Sequence, residues 1–144
     1  MSFKMVTLFC SVSTTRRNME NALSPLALAF IGDAVHTTFV REKVLSGKIN
    51  KLENYHNAAK KFCNAKSQMQ ALERILAELT DEEKEIVRKA RNCHSKHTAK
   101  NFDEETYKKA TAFEALVGYL YLEKQTERLN YVLENSMKEE KNEN

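Results

Sequence analysis

The chain has 144 residues, 42% of them hydrophobic, with three glycines, one proline and a net charge of +3. That length allows one domain with a real core, and so few turn residues weigh against an all-β or α/β fold. No apolar stretch approaches the ~20 residues of a membrane span. The three cysteines, Cys10, Cys63 and Cys93, fit a reducing cytoplasm better than a disulfide framework.

Residues 1–18 read as a lead-in without clear periodicity. The mildly apolar stretch from Met5 to Val12 is short and lacks a cleavage site, so no leader or lipid anchor is expected there. Met19 is a conceivable alternative start. Ser24 and Pro25 mark a helix start, with Ser24 as N-cap and Pro25 at the first helical position. That helix is predicted to run to about Ser46, where Gly47 supplies a stop. Apolar periodicity resumes from Leu52 to Phe62 and again from Met69 to Leu79. Thr80-Asp81-Glu82-Glu83 is a capping-box sequence opening a helix that ends in basic residues. The stretch from Asn92 to Asn101 reads as a polar, basic loop. Two more helices are predicted, Asp103 to Leu122 and Glu127 to about Met137, before a charged tail over 138–144. The chain is therefore read as a single all-α domain over 19–137, with no repeats and no internal linker.

One carboxylate breaks the first helix. Asp33 is the sole charge from Leu26 to Val35, and at helical spacing it shares a stripe with Leu26, Phe30, Thr37 and Val40. A carboxylate on a core-facing stripe needs a partner, which is a protein cation, a hydrogen-bond network or a metal ion. A second helix repeats the pattern. Glu114 is the sole charge between Lys109 and Glu123, on a stripe with Ala110, Val117 and Tyr121. Gly32 precedes Asp33 and Gly118 lies one turn beyond Glu114. Each glycine costs ~1 kcal/mol inside a helix relative to alanine. Small neighbours (Ala29, Ala34, Ala110, Ala115) flank both acids. Small residues let helix backbones approach, so the two helices are expected to cross with Asp33 and Glu114 meeting at the crossing. Two carboxylates in an apolar site repel. Mg²⁺, which favours one or two carboxylates plus waters, relieves that repulsion. Internal Lys or Arg partners, or a helix N-terminus, are the competing account.

Charge is also uneven. From Lys84 to Lys100 six basic residues face one acid, Glu85, with His94 and His97 in the same stretch. This suggests a polyanion surface, although charge alone leaves a solvated helix end equally open.

These residues resemble a known family. Leu28-Ala29-Phe30-Ile31-Gly32-Asp33-Ala34 is similar to the signature helix of the ribonuclease III catalytic domain, and Phe113-Glu114-Ala115-Leu116-Val117-Gly118 to its second acidic motif. Arg91-Asn92-Cys93-His94-Ser95-Lys96, Tyr107, Ala110 to Glu114 and Ala65-Lys66-Ser67-Gln68 resemble the Mini-ribonuclease III subgroup. The resemblance spans residues 20 to 133. It implies an all-α, homodimeric endonuclease domain that cuts double-stranded RNA with Mg²⁺, leaving 5′-phosphate and 3′-hydroxyl ends, with Asp33 and Glu114 as catalytic and metal-binding residues. In the subgroup it implies maturation of both ends of the large-subunit (23S) ribosomal RNA precursor in the cytoplasm, assisted by a large-subunit ribosomal protein. Larger family members carry further acids where this chain has Leu26, Ala29 and Thr111, which points to one Mg²⁺ per site rather than two. Only a short charged tail follows the catalytic domain, so no separate RNA-binding domain is expected. The loop residues Arg91, Asn92, His94, Ser95, Lys96 and Lys100, helped by Lys66 and Ser67, are therefore expected to grip the RNA.

Other readings compete. Cys93, His94 and His97, with Cys63, match no closed zinc pattern cleanly. His36 reads as a packing or dimer-face residue rather than a general base. Phe113, Tyr119 and Tyr121 read as core and dimer seam. An all-α nucleotide pyrophosphohydrolase would want acids at helical spacing, which Glu82, Glu83 and Glu85 offer only at a helix start. A non-catalytic ribosome-associated RNA-binding domain would gain nothing from two acids facing phosphate.

Overall fold

The structure, a computed structural model, describes residues 23–47, 51–93 and 103–139. Among the described residues the chain is all-α, in the order α1 (Pro25–Leu45), α2 (Leu52–Lys60), α3 (Ala65–Ile75), a 3-10 turn (Leu76–Glu78), α4 (Asp81–Arg91), α5 (Glu104–Leu122) and α6 (Thr126–Ser136). None of these helices is long and apolar enough to cross a membrane. The lead-in over 1–18 and the greater part of the charged tail lie outside the described residues.

Local chemistry sets the helix ends. The Ser24 hydroxyl accepts from the Ala27 N–H at 3.1 Å, and Pro25 occupies the first helical position. Asn64 caps α3 by accepting from the Ser67 N–H at 2.9 Å, so that helix begins a turn earlier than its apolar residues alone suggest. Thr80 and Glu83 form the full capping box of α4, and Asp103 caps α5 through the Thr106 N–H at 2.7 Å. Two ends differ from expectation. Gly47 does not adopt a left-handed conformation. Instead α1 closes with the Ser46 N–H on the Glu42 carbonyl and the Gly47 N–H on that of Val44. The left-handed residue is Lys124, at φ 55°. It ends α5 in a Schellman turn, with Gln125 N–H bonded to the Leu120 carbonyl at 3.0 Å.

α5 is the axis of the domain. Ala112, Phe113, Ala115, Leu116, Val117 and Leu120 are wholly buried, and α1, α3, α4 and α6 all pack on this helix. A helix apolar nearly all round is a buried one. α1 behaves differently. Leu28, Val35, His36, Phe39 and Val40 face the core, whereas Leu26, Phe30 and Asp33 are exposed, Phe30 at 84%. The stripe that carries Asp33 thus points outward and turns into the core only at Val40. A run read as core-facing belongs to the surface of this single chain.

Among the described residues, one carboxylate is fully inside. Glu83 is 2% exposed and takes two hydrogen bonds from Arg128, Nε at 2.8 Å and a terminal nitrogen at 2.9 Å. Arg128 also bonds the Glu78 carbonyl at 3.1 Å. The pair fastens α6 to the start of α4. Removing one partner of such a pair strands the other in a low-dielectric setting. Arg128→Met should therefore lower the unfolding free energy by about 3–5 kcal/mol, measured by urea denaturation. The double variant Arg128→Met/Glu83→Leu should recover most of that loss.

Candidate active site

α1 and α5 touch backbone to backbone. A Cβ on Gly32 would lie 1.7 Å from the Glu114 carbonyl oxygen, and one on Gly118 would lie 2.0 Å from that of Leu28. Neither carbonyl can rotate away without breaking its helix, so only glycine fits at either position. Asp33 follows Gly32 directly, and Glu114 sits one turn before Gly118. The two acids are thereby brought together at the crossing, as the small residues around them anticipate.

Their surroundings are unequal. Asp33 is exposed and Glu114 partly buried. The Glu114 carboxyl is pushed up to about 7, first by burial and then by the charge of Asp33 and a hydrogen bond shared with it, against the opposing effect of a hydrogen bond from Gln68. Among the described residues no salt bridge ties either acid to a lysine or arginine. Besides Asp33, the side-chain amide of Gln68 reaches Glu114, its Nε2 donating to Oε1 at 3.1 Å. The same amide nitrogen lies 3.4 Å from Nδ1 of His36, and Nε2 of His36 lies 3.2 Å from the Ser136 hydroxyl. His36 is fully buried, edge-on to Phe113 with ring centroids 5.1 Å apart, and burial holds its pKa down to about 4.

The donor set suits a hard divalent cation. Two carboxylates supply oxygen ligands and carry a repulsion that such an ion relieves. Among the described residues no three His, Cys, Asp or Glu side chains gather at one point, so the acids supply only part of an octahedral shell. Ala29 and Thr111, where the resemblance implies acids in larger family members, are both buried. Cys63 is near enough to feel the charge of both acids without joining them at one point. Its thiol is pushed up by burial, a hydrogen bond with Thr37 opposes this, and Asp33 and Glu114 add to it.

Of the residues expected to grip RNA, Lys66 is exposed at the first turn of α3, next to Gln68. Ser67 is engaged in capping, its hydroxyl donating to the Lys61 carbonyl at 2.5 Å. Arg91 pairs with Glu105, and Asn92 is the C-cap of α4. His94, Ser95, Lys96 and Lys100 lie outside the described residues, as does His97 of the zinc reading. The acids that a pyrophosphohydrolase site would use are taken: Glu82 by the Tyr119 hydroxyl at 3.0 Å, Glu83 by Arg128, and Glu85 by Arg88.

Gln68, His36 and Ser136 were not legible as parts of this site. A signal for the first was present, because Gln68, Ala71, Leu72 and Ile75 recur at helical spacing and all are buried. That pattern puts an amide on the apolar face of α3.

The chain is similar to proteins of one known family. Residues 26–125 match the family model of the ribonuclease III domain. The chain is 45% identical to a Mini-ribonuclease 3 of Thermoanaerobacter over 81% of its own length and 82% of the relative's. It is 44% identical to the Mini-ribonuclease 3 of Staphylococcus aureus, over 81% and 88% respectively. A crystal structure of a protein from Fusobacterium nucleatum superposes with a TM-score of 0.73 at 30% identity, over 80% of this chain and 92% of that one.

The raised Glu114 sets a pH dependence. The side chain ionises near 4.5 in the unfolded chain and near 7 in the folded one. Its contribution to stability is thus full below pH 4.5 and lost as the pH rises to about 7. His36 runs the other way, its contribution fading as the pH falls from 6.5 to about 4, and cancels when two proteins that both carry it are compared. Metal-free Glu114→Gln should therefore melt ~5 °C above the parent at pH 8 and close to it at pH 4.5. Mg²⁺ should raise the melting temperature of the parent at pH 8 more than that of the variant. A gap independent of pH would show that Glu114 carries no such strain.

Proposed function

Because the chain belongs to the ribonuclease III family, whose members are endoribonucleases, we propose that it is a Mg²⁺-dependent endonuclease of double-stranded RNA. The observation that carries this reading is the pairing of Asp33 and Glu114 where α1 and α5 meet through Gly32 and Gly118. Asp33 and Glu114 hold the ion. When bound, it supplies positive charge to a phosphate oxygen and acidifies water for attack on phosphorus. Asp33, on the open side, faces the substrate phosphate, and Glu114, on the buried side, is kept in place by the Gln68 amide. Cleavage leaves 5′-phosphate and 3′-hydroxyl ends. One ion per site fits a pair of acids that no further carboxylate joins among the described residues.

The basic segment from Arg91 to Lys100, with Lys66, supplies phosphate and 2′-hydroxyl contacts across the minor groove of an A-form stem, where shape is read more than sequence, and the Ser67 hydroxyl, whose proton goes to the Lys61 carbonyl, accepts from a 2′-hydroxyl. The exposed strip of Leu23, Leu26 and Phe30 beside Asp33 is the surface through which two copies form a homodimer, the catalytic domain extending over 19–137. The substrate is the paired stem of the large-subunit (23S) ribosomal RNA precursor, cut at both ends in the cytoplasm, with a large-subunit ribosomal protein shaping the RNA. High identity to proteins named Mini-ribonuclease 3 supports this placement.

The discriminating experiment offers purified protein a long RNA duplex, the same duplex in DNA, and a nucleoside triphosphate, each with Mg²⁺ or EDTA. Cutting of the RNA duplex alone, and only with Mg²⁺, is expected. Binding without cutting would select a non-catalytic RNA-binding domain, and attack on the triphosphate a pyrophosphohydrolase. Asp33→Asn should bind the duplex as the parent does while cleavage falls at least ~100-fold, and retained cleavage at saturating Mg²⁺ would sink the site assignment. Lys96→Ala should raise KM and weaken duplex binding at physiological salt, with a smaller effect on single-turnover chemistry. Unchanged binding by gel shift would remove Lys96 from the RNA interface.

A further inference from the structure

A chain of hydrogen bonds, each with its donor fixed, connects the far side of the core with Glu114. The Ser136 hydroxyl gives its only proton to the Leu133 carbonyl at 2.6 Å. Toward His36, 3.2 Å away, Ser136 can then only accept, so Nε2 of His36 carries a proton. A second ring proton would bury an unpaired charge in a fully enclosed site, which is costly. Nδ1 therefore presents a lone pair and requires a donor. That donor is the NH₂ of Gln68, at 3.4 Å. With its nitrogen turned to His36, the amide aims its second N–H at Oε1 of Glu114, at 3.1 Å. The far end is anchored too. Arg74, like Gln68 on α3, bonds the Asn135 carbonyl at 3.1 Å and the Ser136 carbonyl at 3.4 Å, placing a cation on the C-terminal end of α6. His36 is held in plane by its edge-on contact with Phe113, the residue before Glu114.

We propose that Gln68 is a positioning residue for Glu114, set in its donor orientation by the Nε2-protonated form of His36 and by Ser136. The amide ties up one carboxylate oxygen and leaves the other turned toward Asp33 and the ion. Without His36 as acceptor, Gln68 is free to present its carbonyl oxygen to Glu114, which would repel the carboxylate. This inference rests on the reading of Glu114 as a metal-holding residue, and partners of this kind typically contribute ~10–100-fold to metal affinity or activity.

The first test needs no variant. Nitrogen-15 shifts of His36 in the full-length protein should report a neutral ring protonated at Nε2. A ring protonated at Nδ1, or doubly protonated, overturns the proposal. The second test measures Mn²⁺ binding without RNA, by electron paramagnetic resonance, at equal folded fractions checked by thermal melting. Gln68→Leu and His36→Leu should each weaken Mn²⁺ binding ~10–100-fold. His36→Asn, whose side-chain oxygen falls near the place of Nδ1, should recover much of the loss. In cleavage assays Gln68→Leu should raise the Mg²⁺ concentration for half-maximal rate while KM for the duplex stays near that of the parent. Parental Mn²⁺ affinity in Gln68→Leu, with binding lost in Asp33→Asn, overturns the positioning role alone. Parental affinity in both variants overturns the metal assignment of the acids along with it.

Discussion

Two helices of this chain meet with no side chain between them. At Gly32 and Gly118 the backbone of α1 lies against the carbonyls and amides of α5, at separations a single methyl group would violate. The cost is two glycines inside helices, each ~1 kcal/mol less favourable than alanine. In return, the Cα atoms of Asp33 and Glu114 are fixed by the crossing itself. Side-chain packing elsewhere, around Phe113, Leu116 and Leu120 on α5, then keeps the crossing closed. The core thus supports a site that lies at its edge.

The acids differ in a way that suits a division of labour. Asp33 stands at the open face of α1, and Glu114 projects from the buried axis of the domain. Burial and the nearby Asp33 both oppose ionisation of Glu114, and the Gln68 amide works against them. An unoccupied pair is therefore under electrostatic strain at neutral pH, which a divalent ion would release. His36, by contrast, is kept neutral and enclosed. It is not placed to exchange protons with substrate, and its use is directional, passing the polarity of one hydroxyl to one amide.

Much of this was readable from residue order because it depends on local spacing. Ser24-Pro25 and Thr80 to Glu83 announce helix starts through their own hydrogen bonds, and the glycines beside the two acids announce a close crossing. What was not readable depends on distance along the chain. Gln68 and His36 are 32 residues apart and His36 and Ser136 are 100 apart, and no local pattern records such pairings. The outward turn of Asp33 was hidden for another reason. A stripe of Leu26 and Phe30 looks the same whether it faces the chain's own core or stays on its surface. Gly47 and Lys124 show a third limit. The left-handed turn went to a lysine because the short connection between α5 and α6 demanded it, while the glycine that seemed made for one was not needed in that role.

The glycine crossing also decides where this domain is free to change. Since the spacing of the two acids is set by main-chain atoms, it is insulated from substitutions that only resize the core or alter surface charge. Packing around α2 and α4 can be retuned without readjusting the centre, whereas the C-terminal end of α6 is tied to it through Ser136. Rotation of α1 about its own axis is a different matter, because it would lift Gly32 off the Glu114 carbonyl and move Asp33 sideways in the same motion. The domain therefore behaves as a stiff hub with an adaptable rim, and inherited variation should accumulate on the rim.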